Sequence, residues 1–140
     1  LLKPEVIWNI EQGLKLSVED IARAEAQRVT LAQRSLAFFE TYDLLLCPAT
    51  IVAPFPVEQR YVAECDGKKF DNYVEWLGIA YAITVACCPA LSLPCGFTAS
   101  GLPVGLQMVA RPRNEADLLA GARVLEDILG VRGSTPIDPR

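Results

Sequence analysis

Apolar residues recur at two different periods along this chain, and the change of period marks its elements. Over 104–109, Val104, Leu106 and Met108 alternate with Gly105, Gln107 and Val109, which is the period-two pattern of a strand. Leu91 and Leu93 alternate with Ala90 and Ser92 in the same way. Thr98-Ala99-Ser100-Gly101 lies between the two runs, so 89–111 predicts a β-hairpin around which the rest is arranged. Pro89 and Pro103 fall where strands begin, and Pro94 either ends the first strand or forces a bulge.

Helical periodicity governs four other segments. Pro4 and Gly13 bracket a short apolar segment within 1–16, as suits the first turn and the end of a helix. Ser17 followed by Asp20 is an N-terminal capping signature, after which Val18, Ile21, Ala22, Val29, Ala32, Leu36 and Phe39 form one stripe, interrupted by Glu25. Asn114 to Asp117 opens a final helix whose stripe is Leu118, Ala122, Leu125 and Leu129 and whose stop is Gly130. Asp71-Asn72 caps a further helix running through Tyr73, Trp76, Leu77, Ala80, Tyr81 and Thr84. It is apolar nearly all round from Trp76, which predicts burial on more than one side.

The run 43–47 is continuously apolar and stops at Pro48, as expected of a strand buried on both faces. Prolines 48, 54 and 56 make the following segment an extended loop, which either borders a ligand site beyond the strand or carries the chain around an edge. Asp66-Gly67 fits the turn of a small surface hairpin. Helices alternating with buried strands predict an α/β layer architecture. Residues 131–140, with Pro136 and Pro139, are expected to form a flexible tail.

Composition narrows the function classes. The formal net charge of −4 leaves no basic footprint for nucleic acid or an anionic membrane. No apolar run reaches the roughly 18 residues of a membrane span. The five cysteines include no C-x-x-C pair and point to reduced thiols in the cytoplasm. With no histidine, neither a Ser-His-Asp nor a Cys-His machine can be assembled, no zinc site is expected, and no cofactor is called for. A thiol enzyme built on Cys87, Cys88 or Cys95 lacks a base or positive neighbour in the nearby sequence.

Three segments in order carry a specific likeness: Asp43-Leu44-Leu45-Leu46-Cys47-Pro48-Ala49-Thr50, then Pro89-Ala90-Leu91-Ser92-Leu93-Pro94-Cys95-Gly96-Phe97, then Gly101-Leu102-Pro103-Val104-Gly105-Leu106-Gln107, followed by Arg111-Pro112 and a Glu-Ala-x-Leu-Leu helix start. Together they resemble the C-terminal end of amidase signature enzymes, over residues 1–130. The resemblance implies part of an α/β/α sandwich around a mixed β-sheet. It also implies hydrolysis of an amide by a Ser–cis-Ser–Lys triad, in which a neutral lysine relays through a bridging serine and a backbone oxyanion hole holds the carbonyl.

In that family the triad lies upstream, in and beside a Gly/Ser-rich signature that this chain does not contain, so no catalytic residue is assigned here. Leu1 in place of methionine fits a piece of a longer protein. Where the family often shows Asn-x-Thr-Gly-x-Pro, this chain has Thr84, Ala86, Cys87 and Pro89. A wall of the substrate pocket is expected from Trp76, Ile83, Thr84 and Gln107. The expected partners are a small-molecule amide and further copies of the chain. The alternative is a non-catalytic interaction module, or an amidotransferase-type subunit segment, pairing through exposed sheet edges.

Overall fold

The computed structural model describes residues 2–131, so that nearly all of the tail expected over 131–140 lies outside the described residues. Its centre is the hairpin of β4 (Ala90–Phe97) and β5 (Pro103–Ala110). Leu91 pairs with Met108 and Leu93 with Leu106, and the register shifts between Pro94 and Gly96. Pro94 therefore sits at a bulge, where its missing N–H breaks no regular ladder. The short β1 (Leu44–Cys47) pairs antiparallel with the other side of β5, giving the order β1-β5-β4. All pairings within this sheet are antiparallel.

Local chemistry fixes the other elements. Pro4 opens α1 (Pro4–Gly13), and a ring without an N–H is harmless in the first turn of a helix. At the start of α2 (Val18–Phe38) the Asp20 N–H donates to Ser17 Oγ at 3.1 Å while the Ser17 N–H donates to Asp20 Oδ2 at 3.0 Å. This reciprocal cap satisfies two otherwise orphaned donors. Asp66 and Gly67, with φ of 49° and 75°, form the left-handed pair that joins β2 (Glu64–Cys65) to β3 (Lys68–Lys69).

The segment expected to run as one helix from Tyr73 to Thr84 is two, α3 (Tyr73–Trp76) and α4 (Gly78–Val85), broken at Leu77 with φ −83° and ψ 2°. Asn72 caps α3 by accepting from the N–H groups of Val74 and Glu75. Gly78, a poor helix former, follows the break. The last helix, α5 (Glu115–Leu129), ends at Gly130 in the left-handed region with φ 66°. Asn114 opens it without capping a backbone N–H. Its amide instead donates to Asp117 Oδ2 at 2.8 Å.

Helix α5 lies on the face of the sheet that carries Leu93, Met108 and Ala110, and closes a core with Leu118 and Ala122. Leu44, Leu91 and Leu125 pack around its rim. Gly121 lets α5 approach closely, because a Cβ there would stand 2.6 Å from Leu44 Cδ1 and push that side chain aside. Phe38 and Phe39 at the end of α2, and Ile83 and Ala86 around α4, gather against Leu45 and Val109 on the opposite face. The sheet is thus covered by helices on both sides, as an α/β class requires.

Two expectations of burial fail. Helix α4 holds no buried residue, with Tyr81 45% and Val85 37% exposed, and Leu46 of β1 is 47% exposed because β1 is an edge strand. The apolar stripe of α2 is likewise open, at 78% for Val18, 54% for Ile21 and 51% for Val29. These faces have the sequence of buried surfaces, and nothing within the described residues covers them.

Candidate functional site

The proline-rich loop over 48–56 leaves the carboxyl end of β1 and cannot join a ladder. Thr50 Oγ1 donates to the Val52 carbonyl at 3.1 Å, and the Cys65 thiol reaches the Ile51 carbonyl at 3.7 Å, tying the loop to the β2–β3 hairpin. A chain of edge-to-face aromatic contacts holds the region from the other side. Tyr61 meets Tyr73 at 5.8 Å, Tyr73 meets Trp76 at 6.2 Å, and Trp76 meets Phe55 at 5.9 Å. Such contacts add stabilisation beyond the area they bury, and here they replace the ladder bonds the prolines forbid.

Between this loop, Trp76 and the sheet lies an open cleft of about 510 Å³. Ile51, Val52, Phe55 and Trp76 form its walls, and Ser92 and Gly105 its floor. A Cβ on residue 105 would stand 2.4 Å from Ser92 Oγ, so glycine at that position leaves room for the hydroxyl. No residue lining the cleft is charged. The Trp76 indole N–H is buried beside it with no hydrogen-bond partner.

Of the four residues expected to line a pocket, Trp76 stands in this cleft. Ile83 faces away from it, among Ser35, Phe38, Cys88 and Val109. Thr84 is exposed near the end of α4, where its carbonyl accepts the Cys87 N–H at 3.0 Å. Gln107 is half-buried on the sheet and donates to Cys47 Sγ at 3.3 Å. Phe55, Ser92 and Gly105 were not singled out from the sequence. The proline run at 48–56 was the available signal for Phe55, whereas Ser92 meets Gly105 through a strand register that no local pattern encodes.

The reactive groups are dispersed. Lys3, Lys15, Lys68 and Lys69 are all exposed, whereas a lysine acting as a neutral base needs burial. Among the described residues, no group of three or more His, Cys, Asp or Glu is placed to hold a metal, and no helix is long and apolar enough to cross a membrane. The cysteines are free thiols. Burial pushes the Cys88 thiol up, helped by the neighbouring Cys87 and opposed by a hydrogen bond from Ser35. The structure does bring a positive group to Cys87, because Arg28 of α2, bonded to Glu25, also interacts with that thiol. Cys87 itself has φ 58°, a left-handed conformation for a non-glycine residue.

The family model for Amidase matches residues 1–119. This chain belongs to the amidase signature family. It is 33% identical to an acylamidase of Rhodococcus erythropolis over 95% of its own length and 28% of that protein. It is 42% identical to a glutamyl-tRNA(Gln) amidotransferase subunit of Moorella thermoacetica over 88% of its length and 25% of that relative. Among solved structures, an amidase aligns with a TM-score of 0.79 at 28% identity, covering 92% of this chain and 29% of the other. A bacterial aryl acylamidase shares the fold, with a TM-score of 0.78 at 20% identity over 97% of this chain and 29% of the other. The chain therefore spans less than a third of the length of these amidase relatives.

Proposed function

We propose that this chain is the C-terminal part of an amide hydrolase, supplying the β1-β5-β4 strands, their covering helices and one wall of the substrate pocket. The Ser–cis-Ser–Lys triad resides in a preceding part of the parent protein. The observation that carries this reading is the surplus of exposed apolar surface on α2, α4 and β1, which matches a body that ends where a larger one should begin. The parent releases a carboxylate and ammonia or an amine from a small-molecule amide. The free thiols fit a reducing cytoplasm. Purified alone, the chain leaves simple carboxamides intact. Joined to the remainder of an amidase body, it restores hydrolysis that is lost when the nucleophilic serine is changed to alanine. Turnover of a carboxamide by the chain alone would refute the reading.

The likeness to amidotransferase subunits supports a second reading, in which the segment belongs to a protein that works inside a complex. The outer side of β4, unpaired in this sheet, is the edge through which it would pair with a copy of itself or another chain. Light scattering separates the cases. A compact monomer at high concentration counts against self-association and against a component that pairs through its edges.

A further inference from the structure

Resting on the amide-hydrolase reading, we propose that the cleft beneath loop 48–56 receives a neutral amide bearing an apolar aryl or branched alkyl group, with the Ser92 hydroxyl hydrogen-bonded to the amide. The lining is aliphatic, aromatic or proline except at Thr50 and Ser92. The Thr50 hydroxyl spends its proton on the Val52 carbonyl and the unpartnered Trp76 indole N–H is buried, so Ser92 is the exposed lining side chain that can both donate to and accept from a ligand. A hydroxyl both donates and accepts, so it can serve either end of an amide.

The cleft volume, about 510 Å³, lies in the ordinary range for small-molecule sites. The perpendicular Phe55 and Trp76 rings, at 72°, offer both an edge and a face to an apolar group. An amino acid such as glutamine would bring two charges against a wall that, over the residues of this chain, holds none, losing hydration without a counter-charge there. Gly105 keeps the floor open, since any larger residue there would crowd the Ser92 hydroxyl.

Trp8→Phe leaves Trp76 as the reporter, because the chain has two tryptophans. In that variant cyclohexanecarboxamide should change Trp76 emission saturably, and glutamine at the same concentration should not. Adding Ser92→Ala should weaken the carboxamide about 3- to 10-fold, the effect of one hydrogen bond. An equal response to glutamine, no saturable response, a water-exposed Trp76 emission maximum, or indifference to Ser92→Ala would each overturn the proposal. The two levels are separable. Hydrolysis of glutamine but not of cyclohexanecarboxamide by the joined protein overturns the substrate class and spares the amidase reading. Saturable Trp76 binding in a joined protein that hydrolyses no amide spares the cleft and sinks that reading.

Discussion

Cys87→Gly should stabilise the fold, although it removes a side chain. Cys87 follows α4 with φ 58°, a region in which an L-residue crowds its own Cβ against the following carbonyl at a cost of about 1–2 kcal/mol. Glycine escapes that crowding but adds about 0.5–1 kcal/mol of chain entropy to be lost on folding. The thiol is exposed, with a weak contact to the Val85 carbonyl at 3.9 Å and an interaction with the surface Arg28 guanidinium, so little packing is forfeited. The balance favours glycine by about 0.5–1 kcal/mol. In urea unfolding, with a slope of about 1.5 kcal/mol/M, the midpoint should rise by about 0.3–0.7 M at unchanged slope. Cys87→Ala keeps the Cβ and should show no such gain, while Cys87→Val should lose stability, since a branched Cβ tolerates this backbone least. Equal stabilisation by alanine and glycine would refute the reasoning, because thiol removal rather than backbone relief would then be responsible.

Other outcomes follow from the same structure. Met108→Ala should cost about 2–5 kcal/mol in denaturant unfolding, since the side chain is fully buried between the sheet and α5. Ser17→Ala should cost about 1 kcal/mol by removing one half of the α2 cap. Hydrogen bonds from the Ser17 N–H, then from its hydroxyl, then from Arg23 hold the Asp20 carboxyl below the usual aspartate range. Asp20 therefore stabilises the fold above its unfolded pKa and loses that contribution as pH falls through the folded value, so α2 ellipticity at 222 nm should drop on acidification and drop less in Asp20→Asn. Iodoacetamide should modify exposed Cys87 before Cys88, whose thiol is raised by burial, as peptide mapping after timed quenching would show.

Element starts and stops were legible because they are chosen over three or four residues. Ser17 with Asp20, Asp66 with Gly67, Pro4, and Gly130 each satisfy or release a backbone group within their own turn, and each lies where the pattern puts it. The alternation in β5 likewise assigned Met108 to one face and Val109 to the other, and both are buried. Where local preference and a distant contact compete, the pattern fails. The run from Tyr73 to Thr84 reads as one helix, yet it breaks at Leu77, beside the Trp76 ring that packs on Phe55 across an intervening loop and hairpin.

By itself the sequence determined the element types, the hairpin at the centre and the likeness to the amidase family, since all of these reside in neighbouring residues or in their order. Tertiary structure alone decided that Trp76 joins Phe55 and Ser92 in one cleft while Ile83, Thr84 and Gln107 lie elsewhere, and that the stripes of α2 and α4 stand open. Periodicity can say which face of a helix is apolar. Whether another surface lies against that face depends on chain far away in sequence.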